Sequence, residues 1–412
     1  MRSIIIVLFI SMFAFLLPVQ TILKAAPPPN TLKHTNNNSC FIQPHNQLPH
    51  SPRENIQSDL IRKMLNRTVA KNKGYGGAIY RVTIGRHNRI LWNDTAGNLQ
   101  YNGNPITPNA SFEIASVTKT FTAASVLRLM EQGLVDLDIP ISNYLSPEYT
   151  TGLLVIDGHD YTPELTLRQL LSHTSGLADY WNDPPFIISN LNAFLISFYA
   201  RPMHDWTPKE ILSYVPLLTP RFKPGTGWHY SDTGYVLAGL IIEQVTGKPL
   251  HEAYNDLIYQ PLNMHHTWLR WRESAPNDLI NSHRYEGNWD MFTHRNNSAD
   301  WAGGGLDSTS QDLEKFIRAL ADNTFFTDPD TMKQMTHWTP TDDPEVQYGL
   351  GLFRVQLTKK LGWVWGHDGY GSSWMYYWPD HDVIFTGTLN QTNNESFWYI
   401  MIASARIIAN NH

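Results

Sequence analysis

The strand-like segments of this chain lie at its two ends, and the helical segments lie between them. Ala78 to Ile84 and Arg89 to Thr95 are rich in β-branched and apolar residues around a turn at Gly85. A helix over about Ser58 to Lys71 precedes them. The last 65 residues read as strands: Tyr348 to Val355, Trp363 to Trp365, Ser373 to Trp378 and Val383 to Leu389. This order predicts an α/β (α+β) architecture. A mixed, mainly antiparallel sheet is closed by both chain ends and flanked by helices, with a mostly helical region inserted over about 120–300. With 412 residues the chain can bury a large core.

The inserted region carries helix signals with identifiable ends. Val117, Phe121, Ala124 and Leu127 recur at helical spacing, and Gly133 supplies a stop. Thr166-x-x-Gln169 matches a capping box for a helix ending near Gly176. Another helix starts at about Thr233, with Asp232 as its N-cap and Gly247 past its end. Ser308-x-x-Gln311 opens a helix to about Ala321. Residues 181–222 and 265–300 read as pocket-forming loops.

The amino-terminal region has a different character. Arg2, the apolar run Ile4 to Leu17 and the small residues after Lys24 read as a secretory signal over 1–26. Residues 27–52, with three consecutive prolines and an Asn run, read as a flexible linker before a single domain over 53–412. A periplasmic or secreted location is expected, with no membrane span in the mature chain. The net charge of −6 argues against nucleic acid as a partner. Cys40 is the sole cysteine, which rules out an internal disulfide.

Ser116-Val117-Thr118-Lys119 carries the chemistry. Positions i and i+3 share a helix face, so the Lys119 amine can reach the Ser116 hydroxyl. A serine needs a group to take its proton before it can attack, and a desolvated lysine is one such base. Tyr230, between the Pro224-Gly225 turn and a helix start, is a second proton carrier. His367-Asp368-Gly369 follows Trp365-Gly366, where the glycines allow close backbone approach of a substrate. The Tyr370 N–H, with that of Ser116, could form an oxyanion hole. H-E-x-x-H, P-loop and dinucleotide fingerprints are missing from the sequence, so neither a metal nor a cofactor is expected.

These motifs, in this order, resemble the serine β-lactamase and penicillin-binding protein family. The branch is that of class C β-lactamases, D,D-carboxypeptidases, esterases and D-aminopeptidases. Phe112 to Ala115, Leu165 to Leu177, Pro224-Gly225 six residues before Tyr230, and Gly304-Gly305-Leu306 ahead of Ser308-Thr309 extend the likeness over about residues 60–400. The resemblance implies a β-lactamase-like fold and an acyl-Ser116 intermediate. Lys119 and Tyr230 would move the proton. His367 would stand where many relatives carry a lysine. The implied substrate is a small ester, amide or D-amino-acid peptide, peptidoglycan-derived ones included. A true β-lactamase and a catalytically weak cell-wall-peptide-binding protein are the alternatives.

Two residues depart from the family pattern. Asp232 replaces the usual Asn of the second motif, and Asp368 replaces the hydroxyl residue of the third. With both acids in the cleft beside Gly369 as substrate-binding groups, each would repel a carboxylate by on the order of 1 kcal/mol or more. The expectation is a preference for neutral or amine-bearing substrates over β-lactams. The alternative is that Asp368 points away from the cleft.

Overall fold

The computed structural model describes residues 52–184, 192–392 and 394–410. The leader over 1–26, Cys40 and all but the last residue of the linker lie outside them, as does the 185–191 part of the 181–222 loop. From Gln57 onward the chain forms one compact unit.

Eight strands form the main sheet, and every pairing in it is antiparallel. The early and late strands of the chain meet inside the sheet, one strand in from an edge, where Ala78–Ile84 pairs with Val383–Thr388 in the register Ile79↔Thr388. Arg89–Ala96 continues the sheet on one side. Ser373–Trp378, Gly362–Gly369, Phe353–Thr358, Val346–Tyr348 and Thr339–Pro340 continue it on the other.

Strand alternation assigns side chains to two faces. Asp368, Trp374 and Tyr80 share one face through the registers Asp368↔Trp374↔Gly387↔Tyr80. The helix Ser396–Ala409 covers it: Ser404 accepts a 2.8 Å hydrogen bond from Tyr80, and Phe397 stacks on Trp374. His367, Met375, Thr386 and Arg81 share the opposite face. There the helix Ser310–Ala321 packs, with Thr386 donating to the Ser310 carbonyl at 3.0 Å and Arg81 paired to Glu314. The helix Thr118–Glu131 lies deeper in the core, buried on every side from Thr118 to Leu127. A helix so enclosed has no polar stripe to spare, and its Lys119 must find partners inside.

Several boundaries differ from the sequence reading. The segment Tyr348 to Val355 is two strands, broken at Gly349 to Leu352, where Thr120 donates to the Gly351 carbonyl at 2.7 Å. The helix after Thr166 spans only Leu167–Leu171, although its capping box is formed. It stops because His173 takes a left-handed backbone, φ +61°. The N-cap of Asp232–Thr246 is Ser231, not Asp232, and that of Ser310–Ala321 is Thr309. The helix Ser396–Ala409 falls where only strands were expected, and the helix Pro329–Met335 falls in a stretch to which the sequence reading assigned no element.

Candidate active site

Between Ser111 and Leu127 every residue is buried except Ser116. It sits in a single 3-10 turn, Ala115–Val117, between the strand Phe112–Glu113 and the helix Thr118–Glu131. Ala115 holds φ +44°, a sparsely populated conformation for a residue with a Cβ, of the kind that clusters at functional sites. The turn is gripped from the sheet side. A Cβ on Gly369 would meet the Ile114 carbonyl at 2.4 Å and the Ala115 Cβ at 2.9 Å, and Ser373 donates to that same carbonyl at 2.8 Å. Gly369 therefore serves the close approach of the chain to itself.

Lys119 is fully buried, and three acceptors surround its amine. These are the Ser116 hydroxyl at 3.0 Å, the Gly303 carbonyl at 2.8 Å and the Asp232 carboxylate, in an ion pair. An ammonium has three N–H donors, and here all are used. Gly303 is required at this spot, because a Cβ would come within 2.7 Å of the Asp232 carboxylate. Asp232 is therefore not a free acid facing substrate, as expected from the sequence. Its charge is matched by Lys119, and the predicted repulsion of a substrate carboxylate by Asp232 does not arise.

Tyr230 hydrogen-bonds with Ser116, and its ring lies 4.9 Å from the Lys119 Nζ. Burial, reinforced by the Asp232 charge, pushes its phenol well above the ordinary value. Tyr230 thus keeps its proton in the free enzyme. Its ring is fixed between His173, at 4.2 Å, and Phe353, at 6.1 Å and parallel.

His367 is 1% exposed and uses both nitrogens. Nδ1 donates to the Asp368 carbonyl at 2.7 Å, which leaves Nε2 to accept from Tyr348 at 3.1 Å. Burial, then the Lys119 charge, depress it to about 3, so the ring is neutral at any working pH. Where relatives place a lysine this chain places no cation. Asp368 lies on the other face of the same strand, where Tyr376 donates to it at 2.5 Å; burial raises it to about 6. Neighbours on a strand point to opposite faces, so Asp368 cannot join His367 in the cleft. Its expected substrate-binding role is overturned. Tyr370, 45% exposed, follows Gly369 at the cleft edge.

Sequence reasoning assigned no role to three further groups. His173 accepts from the Ser231 N–H at 3.1 Å and packs on Tyr230. Asp179 accepts from the Asp232 N–H at 3.1 Å. Tyr348 joins His367 to Tyr235, whose hydroxyl lies 3.4 Å away. Of these only His173 had a signal, its place in the Ser172-His173-Thr174-Ser175-Gly176 run. Among the described residues no group of three or more His, Cys, Asp and Glu side chains could hold a metal ion.

Comparison with known proteins agrees with this geometry. The Beta-lactamase family profile matches residues 62–408. The chain belongs to the β-lactamase family. It is 35% identical over 189 residues to the esterase EstB of Burkholderia gladioli, 44% of each chain. The D-stereospecific amidohydrolase from Streptomyces sp. superposes with a TM-score of 0.70 at 30% identity, covering 84% of this chain and 98% of that one. The D-amino acid amidase from Ochrobactrum anthropi SV3, complexed with D-phenylalanine, gives 0.70 at 25% identity, covering 87% and 100%. The chain spans about half the length of the curated relatives it matches. The named esterase, amidohydrolase and amidase are what this β-lactamase-family member is similar to in sequence or fold.

Proposed function

We propose that the chain hydrolyses esters, amides or short peptides of D-amino acids through an acyl-Ser116 intermediate. The observation that carries this reading is Ser116 itself. It is the one opening in a buried stretch, hydrogen-bonded to a lysine and a tyrosine that are both held in place. Ser116 Oγ attacks the acyl carbon as its proton passes to the Tyr230 oxygen, while the phenol proton of Tyr230 passes to the leaving group, so Tyr230 ends the step protonated and Lys119 keeps its charge throughout. The N–H groups of Ser116 and Tyr370 hold the oxyanion. Water then releases the acid.

The charge pattern supports substrates without a carboxylate at the reacting end. Lys119 is matched by Asp232, Arg284 is matched by Glu113 at 2.9 Å, and His367 is neutral. An amidohydrolase and an amidase among the structural neighbours favour the D-amino acid class. The secretory signal read in residues 1–26 supports a secreted or periplasmic location. Esters, D-amino acid amides, D-Ala-D-Ala peptides and β-lactams, assayed side by side, test the reading. Turnover of the first two is expected. Cephalosporin hydrolysis near 10⁶ M⁻¹s⁻¹, within the range of good enzymes, with neither of them turned over would overturn it.

A further inference from the structure

Tyr230 is bracketed by a single residue. The N–H of His229, just before it, donates to the His173 carbonyl at 2.9 Å. The N–H of Ser231, just after it, donates to His173 Nδ1 at 3.1 Å. Between those two bonds the Tyr230 ring lies 4.2 Å from the imidazole, with 34° between the planes. Ser231 is extended, at φ −146° and ψ 117°. Along an extended segment the N–H groups of residues two apart point the same way, and in a regular ladder both would meet backbone carbonyls. Here the left-handed backbone of His173, φ +61°, turns the chain out of line, and its side chain supplies the second acceptor.

His173 is 1% exposed and is held among rings, with Tyr348 at 4.6 Å, Tyr235 at 5.3 Å and Trp228 at 6.1 Å. Burial, then the Lys119 charge, keep the imidazole neutral. With Nδ1 accepting, the single ring proton is on Nε2. Among the described residues Nε2 has no hydrogen-bond partner. A buried N–H without an acceptor costs about 1–3 kcal/mol. A phenylalanine would fill the same space without that cost, yet it could not accept from Ser231. What the histidine contributes is therefore the acceptor at Nδ1, one residue from the phenol.

We propose that His173 is a positioning residue for Tyr230: Nδ1 and the ring together fix the phenol where it meets the Ser116 hydroxyl. This deepens, and rests on, the acyl-Ser116 reading. His173 takes no proton itself and acts through Tyr230.

A double-mutant cycle tests this, read as kcat/KM for p-nitrophenyl acetate. His173→Gly and His173→Asn both tolerate a left-handed backbone and both lack the ring, but only Asn offers an oxygen in the place of Nδ1. His173→Gly is expected to lower kcat/KM at least tenfold, and His173→Asn to recover at least threefold of that loss. In a Tyr230→Phe background no hydroxyl is left to position, so His173→Gly should change kcat/KM by less than threefold. A smaller loss, a smaller recovery with Asn, or a loss of threefold or more without the hydroxyl overturns the assignment. The last outcome would show a general loosening of the fold, which acts whether or not the hydroxyl is there. If His173→Gly does not give a folded protein, His173→Ala takes its place in the same cycle. A wild type that neither turns over the ester nor takes a fluorophosphonate label on Ser116 would instead fail the acyl-Ser116 reading itself.

Discussion

Lys119 and Asp232 form an ion pair enclosed beneath the Ser116 hydroxyl, with their side chains 0% and 12% exposed. Removing one member leaves the other charge buried and unmatched. Asp232→Ala is expected to lose on the order of 3–5 kcal/mol in urea unfolding. Replacing both, as Lys119→Met with Asp232→Leu, should recover most of that stability, since the desolvation cost goes with the charges. Activity should be lost in both variants. This separates the pair's part in chemistry from its part in folding.

Tyr230→Phe removes one hydroxyl and keeps the ring between His173 and Phe353. The melting temperature should change little. Loss of a positioned proton carrier should lower kcat by roughly 10²–10⁴-fold. The decisive comparison is kcat against melting temperature for the same preparation.

The depressed His367 makes a signed prediction about pH. An unfolded imidazole takes up a proton near 6.5, whereas the folded one does so only near 3. Over that window the unfolded state binds more protons, so the contribution of His367 to stability is lost as pH falls. The stability difference between wild type and His367→Gln should shrink by about 1.4 kcal/mol per unit from pH 6.5 to 4. Denaturation of both proteins across that range gives the difference directly. The same neutrality predicts no inflection from His367 in kcat/KM between pH 5 and 8.

Asp368 sits behind the sheet with Tyr376, under the helix Ser396–Ala409. Asp368→Asn keeps an acceptor for the Tyr376 hydroxyl. Its kcat/KM should stay within about threefold of wild type on amine-bearing, neutral and carboxylate-bearing esters alike, since isosteric changes away from a reacting centre rarely cost more. A selective gain on carboxylate-bearing substrates would show that Asp368 does face the cleft.

How much of this was legible beforehand depends on the range of the interaction. The i, i+3 spacing of Ser116 and Lys119, the capping box at Thr166 and the strands Ala78–Ile84 and Ser373–Trp378 are local, and local patterns are written in the residues that form them. The partners of Lys119 are not local. Asp232 and Gly303 lie 113 and 184 residues away, and nothing in either neighbourhood announces the meeting. The face of Asp368 was in principle readable, because it follows from the period of two that separates it from His367. The helix Ser396–Ala409 was hidden by its apolar residues, which suit a buried strand as well as a buried helix.

The central claim is that Ser116 forms the covalent intermediate. The most direct measurement is intact-mass and peptide analysis of the protein after brief reaction with a fluorophosphonate. The mass of one probe should appear on the peptide containing Ser116 and be absent in Ser116→Ala. Label on another residue, or label that persists in Ser116→Ala, would contradict the account.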